Sequence, residues 1–316
     1  MSRKCLYCYN ELGAAIQGDF HGQCSLEIFG TREQPEFSYS LEQMDELAKN
    51  VIERSVAVPG VQPKLSLTMV NATMGGDKAG RLTVVGALGG NYIFKPPSAI
   101  YQEMPANEHL TMRMAESFGM KTAKSSLIRL KSGELSYITK RFDRTDEGKK
   151  IHMIDMFQIL EAFDKYKSSM EKVGSAVGQY SSRAIFDKLY FLELTIFSFL
   201  TGNSDMHLKN FSMILNGEKW IFSPAYDLLN VAIVNPADKE ELALTLEGKK
   251  RKLSAEHFDR LGKNLGLNGK QIGKVFERFN GFRDVAEGWV DRSFLSDEFK
   301  EKYIGLMDQR YKILFK

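Results

Sequence analysis

Thr201-Gly202-Asn203-Ser204-Asp205-Met206-His207-Leu208-Lys209-Asn210-Phe211-Ser212 is the stretch on which the reading of the chain turns. An apolar, helix-like run from Ile185 to Leu200 leads into it, and a short apolar strand signal, Phe211 to Leu215, leaves it. The polar loop between them carries an Asp and, five residues on, an Asn. That spacing is the one a phosphoryl-transfer catalytic loop uses: the Asp takes or orients the proton of an attacking hydroxyl, and the Asn reaches a magnesium on the phosphates. Seventeen residues after Asn210, Ala225-Tyr226-Asp227 offers a second carboxylate behind another apolar run, Trp220 to Phe222. A β-hairpin would fold Asp227 back toward Asn210, and paired oxygen ligands suit a magnesium ion. The bland alternative, a solvated loop of ordinary turn residues, has to explain the Asp, the Asn and the second Asp together.

Gly202 to Ser212 with Ser223-Pro224-Ala225-Tyr226-Asp227 resembles the HipA family of bacterial serine/threonine kinases, toxins of HipBA and HipBST systems. The resemblance extends upstream through Gly60-Val61-Gln62-Pro63-Lys64-Leu65-Ser66-Leu67, Tyr92-Ile93-Phe94-Lys95, Asn107-Glu108 and Lys140-Arg141-Phe142-Asp143-Arg144, about Ser55 to Leu229 in all. It implies an α+β, two-lobed, protein-kinase-like fold. We expect a nucleotide lobe over 31–144, a helical C-terminal lobe with the catalytic loop over 145–316, and a small zinc-knuckle segment over 1–30.

The resemblance assigns roles along the chain. Asp205 serves the acceptor hydroxyl, while Asn210 and Asp227 hold magnesium. Lys95, ending a strand before Pro96-Pro97, holds phosphates, and Glu108 pairs with it. On its residue type alone Glu108 could instead favour a helix N-terminus electrostatically. Gly60, Val61, Gln62 and Lys64 match the loop that covers the ATP phosphates, although they form neither a Walker loop nor a Gly-x-Gly-x-x-Gly loop. Relatives carry a Ser or Thr before that glycine as an autophosphorylation site; here Ala57 and Pro59 lack the hydroxyl, and Ser55 is a weak substitute. By the resemblance, adenine stacks under the segment Arg141-Phe142-Asp143-Arg144 and bonds its backbone near Thr139, Lys140 and Arg141. His207 reads as a loop-orienting residue of the catalytic set, and Lys209 either touches the γ-phosphate or is solvated.

The implied reaction is transfer of phosphate from ATP, with Mg2+, to a protein serine or threonine, in known relatives on an aminoacyl-tRNA synthetase. A DNA-binding antitoxin and, because the usual N-terminal subdomain is missing, a small HipS-like subunit are the implied partners. The rivals are a small-molecule or lipid kinase of the same fold, and a pseudokinase scaffold, against which the intact Asp205, Asn210 and Asp227 argue.

Near the N-terminus, Cys5-x-x-Cys8 is followed by His21-x-x-Cys24, using every cysteine in the chain. Three thiolates and an imidazole can close a tetrahedral zinc site with no open position, which makes such a site structural. The alternative is three reduced thiols and a surface histidine. HipT-like members are similar here, with a knuckle where full-length HipA carries another subdomain.

The 316 residues, 43% hydrophobic, suffice for a full core. A net charge of +3 gives no polyanion-binding character, so no direct DNA binding is expected, and the basic run Gly248 to Lys252 reads as a solvated face. Three cysteines outside a disulfide framework, no visible signal segment, and no membrane-length apolar run point to the cytoplasm. A capping box, Ser40-x-x-Gln43, opens a helix over 41–53. Strands follow from Lys64, over Arg81–Gly86 and Asn91–Lys95; then a helix over Ala106–Phe118, a hairpin over 125–130 and 135–140, and helices over Ile151–Phe163 and Ser181–Leu200. Three or four amphipathic helices are expected at the end: 255–265, 269–279, 282–290 and 296–314.

Overall fold

The computed structural model describes residues 3–54, 64–70, 80–85, 89–98 and 100–315. Its contacts divide into two compact units: residues 1–109, 123–149 and 292–294 in the first, and 110–122, 150–291 and 295–316 in the second.

The first unit begins with α1 (Gly22–Phe29) and α2 (Leu41–Arg54). The expected capping box starts α2: Gln43 N–H donates to Ser40 Oγ (3.3 Å), and Gln43 Oε1 accepts from Ser40 N–H (2.9 Å). Next come β1 (Leu65–Val70), β2 (Arg81–Val85), β3 (Tyr92–Lys95), the first part of α3 (Met104–Ser117), β4 (Ser125–Arg129) and β5 (Leu135–Lys140). The strands form one antiparallel sheet in the order β2-β1-β3-β5-β4. β3 is central, and its alternation buries Tyr92 and Phe94 on one face. Gly90, at φ 80°, enters β3 so close to β1 that a Cβ would lie 2.3 Å from the Leu67 carbonyl oxygen. Only glycine tolerates both the angle and the approach.

The second unit takes the rest of α3, then β6 (Met153–Asp155), α4 (Met156–Ile159), α5 (Met170–Tyr180), α6 (Ala184–Leu200), the hairpin β7 (Ser212–Asn216) and β8 (Lys219–Phe222), α7 (Val231–Val234), α8 (Ala255–Asn264), α9 (Gly269–Asn280), α10 (Arg283–Arg292) and α11 (Asp297–Leu314). β6, β7 and β8 form a three-stranded antiparallel sheet. α6 is the core helix. Phe191, Leu192, Ile196, Phe197, Phe199 and Leu200 are all fully buried, so apolar residues cover every side of it.

Asp187, 1% exposed, ties the start of α6 to the hairpin: Oδ2 accepts from Phe222 N–H (2.7 Å) and Ser181 Oγ (2.6 Å), and Arg183 Nε lies 2.9 Å from Oδ1. That buried carboxylate is fully partnered, as burial requires.

Several elements depart from the sequence expectation, among them α1 and α7, which it does not include. The helix expected over Ile151–Phe163 is instead strand β6 followed by the single turn α4. Met153 and Asp155 pair with Ile214 and Ser212, so sheet pairing overrides the local helical pattern, and the Asp155–Gln158 capping box then starts α4. Helix α5 is absent from the sequence expectation because Gly174 and Gly178 lower its propensity. Packing needs the first of them: a Cβ on Gly174 would stand 2.3 Å from Leu265 Cδ2. Among the described residues, no helix is long and apolar enough to cross a membrane.

Candidate active site and metal-ligand cluster

The catalytic-loop candidate starts where α6 stops. Gly202, at φ 70°, turns the chain, and its carbonyl accepts from Val231 and Ala232 N–H (3.0 and 3.2 Å). A Cβ there would meet Leu306 Cδ2 at 2.2 Å and Asn230 Oδ1 at 2.6 Å, so glycine is required twice over. Downstream, His207 N–H donates to the Asp205 carbonyl (2.8 Å) and Asn210 N–H to the His207 carbonyl (2.9 Å). Asn210 Nδ2 donates to the same Asp205 carbonyl (3.1 Å). The two polar ends of the motif are thereby locked together. Because the amide nitrogen is committed to the loop, the amide oxygen is the end left to offer a cation.

The β7–β8 hairpin turns the chain back after the loop. Tyr226 Oη donates to the Lys209 carbonyl (2.8 Å) and lies 2.6 Å from Ser212 Oγ, which ties residue 226 to the neighbour of Asn210. Asp227 follows at φ 60°, a left-handed conformation that Asp tolerates better than most residues. His207 registers both carboxylates. Burial holds its imidazole below the usual histidine range; Asp205 pulls it up, Lys165 pushes it down, and Asp227 pulls it up again.

Two residues that the sequence reading did not select complete this loop. Tyr166 Oη donates to Asp205 Oδ1 (2.8 Å), and its ring meets the His207 ring edge-on at 5.2 Å. Lys165 Nζ lies 3.0 Å from His207 Nε2, and Leu208 N–H donates to the Lys165 carbonyl (3.1 Å). An ammonium can only donate, so His207 Nε2 is the acceptor and the ring proton sits on Nδ1. Tyr166 lies 39 residues from Asp205, so only the three-dimensional fold reveals the pair. Lys209 is exposed, with Nζ over the Phe157 ring at 4.8 Å.

In the first unit, Lys95 Nζ and Glu108 Oε1 lie 2.6 Å apart, with the residues 4% and 2% exposed. The Lys95 ammonium also stands 5.3 Å from the Tyr137 ring centroid, a partner placed by the β3–β5 register that sets Lys95 opposite Tyr137. α3 begins at Met104 and has no acid in its first turn, so Glu108 pairs with the lysine and does not serve the helix start. Lys64 is exposed just ahead of β1, and Gly60, Val61 and Gln62 lie outside the described residues, as do Ser55, Ala57 and Pro59.

At the end of β5, Thr139 Oγ1 donates to the Lys124 carbonyl (3.0 Å), Lys140 N–H to the same carbonyl (2.8 Å) and Arg141 N–H to the Asn91 carbonyl (2.7 Å). Lys140 Nζ reaches Asp146 (2.9 Å). Arg141 grips Asp143 with two bonds, 2.9 and 2.7 Å. Burial raises the Asp143 pKa, but Arg141 and Arg144 outweigh it and hold the carboxyl below its ordinary value.

The N-terminal cluster assembles as its spacing anticipates. The ligand atoms of Cys5, Cys8, His21 and Cys24 all lie within 4.8 Å of one another. His21 Nδ1 is 3.4 Å from Cys8 Sγ and 3.8 Å from Cys24 Sγ, close to the ~3.6 Å edge of a tetrahedron with Zn–S about 2.3 Å and Zn–N about 2.05 Å. His21 Nε2 lies 3.1 Å from the Glu11 carbonyl, the outer hydrogen bond that usually orients a ligating imidazole. The sulfurs compete for protons: a hydrogen bond from Cys24 draws Cys5 down, and Cys5 in turn drives Cys24 up. Three thiolates at this spacing need a cation between them, so the donor set fits zinc.

Known proteins place the chain. The model of the HipA-like C-terminal domain matches residues 56–286. Y4dM of Sinorhizobium fredii, named "Putative kinase", is 33% identical over 260 residues, covering 77% of this chain and 61% of that protein. The serine/threonine-protein kinase toxin HipA of Shewanella oneidensis is 26% identical over 214 residues, covering 61% of this chain and 47% of that one. The chain thus spans less than two thirds of either relative.

Two solved structures share the fold. HipA from the Shewanella oneidensis complex of HipA, HipB and operator DNA superposes with a TM-score of 0.65 at 22% identity, over 82% of this chain and 65% of that one. The Helicobacter pylori proinflammatory kinase CtkA gives 0.53 at 17% identity, over 79% of this chain and 95% of that one. With its α+β kinase-like fold and a family model matching most of its length, the chain belongs to the HipA-like C-terminal domain family.

Proposed function

We propose that the chain is an ATP- and Mg2+-dependent serine/threonine protein kinase. The observation that carries this reading is the tied loop in which Asn210 is bonded to the Asp205 backbone and Tyr226, the residue before Asp227, is bonded to the Lys209 carbonyl. A solvated loop has no use for that arrangement.

Asp205 accepts the proton as the acceptor oxygen attacks the γ-phosphorus, and ADP leaves with the bridging oxygen. Asn210 and Asp227 supply hard oxygen donors of the kind magnesium requires; bound there, the ion neutralises phosphate charge. Lys95, oriented by Glu108, holds the α- and β-phosphates, and Gly60, Val61, Gln62 and Lys64 belong to the loop that covers them. Adenine lies beside Thr139–Arg141, recognised by groups other than the Lys140 and Arg141 N–H donors, which are already bonded within the sheet. His207 orients the loop in its neutral form, and Lys209 is the cation available to a γ-phosphate. Zinc at the Cys/His cluster takes no part in this chemistry, because four protein ligands leave no open position.

The biological role follows the relatives: a toxin of a HipBA- or HipBST-type system, phosphorylating a protein such as an aminoacyl-tRNA synthetase in the cytoplasm, restrained by a DNA-binding antitoxin and partnered by a small HipS-like subunit. The antitoxin is supported by the Shewanella oneidensis HipA, which was solved in complex with HipB and operator DNA. Incubating the chain with γ-labelled ATP, Mg2+ and cell lysate tests the reading. A labelled serine or threonine in a protein band is expected. Label confined to small molecules favours the metabolite-kinase alternative, and nucleotide binding without any transfer favours a pseudokinase.

A further inference from the structure

The Cys/His cluster adjoins a connection that runs back to the proposed phosphate-binding pair within the same unit. Cys8 is followed by Tyr9, whose backbone stands at φ 66° and whose side chain is 1% exposed. A left-handed tyrosine is an uncommon conformation, and something must hold it. Two hydrogen bonds close the turn around it, Tyr9 N–H to the Cys5 carbonyl (3.0 Å) and Cys5 N–H to the Asn10 carbonyl (2.9 Å), so the backbone of the Cys5–Cys8 ligand pair encloses Tyr9.

The tyrosine points into the unit. Its Oη lies 2.9 Å from His109 Nδ1, its ring meets that imidazole edge-on at 5.3 Å, and it meets Phe294 edge-on at 5.2 Å. His109 is fully buried and directly follows Glu108, the partner of Lys95. Nearby bonds dock the segment: the Leu6 carbonyl accepts from Leu127 N–H (3.3 Å), and Lys4 Nζ donates to the Arg292 and Ser293 carbonyls. α1 is only eight residues long, too short to hold itself helical in water.

We propose that Cys5, Cys8, His21 and Cys24 bind one zinc ion, and that Tyr9 is the positioning residue through which that ion fixes the Glu108–Lys95 pair. The ion closes the loop that forces Tyr9 into its left-handed turn. Tyr9 clamps His109, and the backbone from 108 to 109 passes that fixation to the carboxylate that orients the ammonium. The role assigned to the pair rests on the kinase reading; the metal site does not.

The test uses the full chain purified without chelator. Zinc is counted by atomic emission, Co2+ is substituted to read the tetrahedral thiolate absorption, and MgATP affinity is measured by calorimetry. One zinc per chain is expected in the wild type, lost in Cys8→Ser and in Cys24→Ser. Tyr9→Phe keeps its metal and stays folded with a melting temperature lowered by only a few degrees, and its MgATP affinity falls roughly fivefold as the Glu108–Lys95 pair loosens. Chelating the metal weakens wild-type affinity by at least as much, while in Tyr9→Phe it adds little, because the transmitting bond is already gone.

Wild-type protein without zinc, or Cys8→Ser retaining a full ion, overturns the metal site. Unchanged MgATP affinity in Tyr9→Phe overturns the brace even if chelation unfolds the wild type. Failure of the zinc-loaded wild type to bind MgATP overturns the kinase reading and the brace with it, and leaves the zinc count to stand alone.

Discussion

The Lys95–Glu108 pair and the Asp205 loop both hold charge in a fixed place, but water reaches only one of them. The pair is 4% and 2% exposed, its members 2.6 Å apart and backed by an aromatic ring. Asp205 is half-buried, and its carboxylate meets a phenol, Tyr166, rather than a cation. In the first case the opposite charge is built in. In the second, neutral groups hold an acid whose own charge remains uncancelled. A buried pair is costly to break and serves orientation, whereas an uncancelled carboxylate beside solvent can accept a proton from an incoming hydroxyl.

The largest effect should come from the exposed side of this comparison. Asp205→Asn is expected to lower phosphoryl transfer by about 10³-fold or more, since it removes the proton acceptor from the developing transition state. Single-turnover assays with saturating MgATP would measure it, and a loss under tenfold would demote the residue.

Next comes the buried side. Lys95→Met removes the ammonium that stands 2.6 Å from the buried Glu108 carboxylate and should destabilise the fold by roughly 3–5 kcal/mol, read by urea unfolding. The double change Lys95→Met with Glu108→Leu should recover most of that stability without restoring nucleotide binding. Recovery of both would mean the pair is structural only.

Tyr166→Phe sharpens the contrast. It removes one hydrogen bond from the proposed base and should change turnover by about three- to tenfold, leaving MgATP affinity unchanged. An equal change in affinity would place Tyr166 with the nucleotide instead.

The smallest effect concerns acid. His207 is held neutral in the folded protein, so the unfolded chain binds more protons as pH falls. Its contribution to stability is therefore present above the ordinary histidine pKa of about 6.5 and declines below it. Melting curves between pH 8 and 5 should fall less steeply for His207→Asn than for wild type. Parallel curves would show that the ring already titrates normally.

What the sequence reveals and what it hides also divides along physical lines. The Asp205-to-Asn210 spacing, the hairpin that returns Asp227, the Lys95 strand end and the four-ligand knuckle are legible because local chemistry fixes them: a loop of set length, a two-strand turn, tight metal-ligand spacing. Tyr166, Lys165 and Tyr9 are not, because each acts across the fold on a partner 39, 42 and 100 residues away. Strand β6 reads locally as helix because the evidence for it lies in β7, and α5 is hidden because two glycines, one of them the closely packed Gly174, look like breakers. Glu108 is ambiguous until the helix start at Met104 moves it out of the first turn.

The most direct test of the proposal that Asp205 and Asp227 serve one metal-bound triphosphate with different duties is MgATP calorimetry on Asp205→Asn and Asp227→Asn side by side. The account predicts that Asp205→Asn binds within about threefold of wild type, while Asp227→Asn, short of a magnesium ligand, binds at least tenfold more weakly. Equal affinities in the two variants, whether both native or both lost, would contradict it.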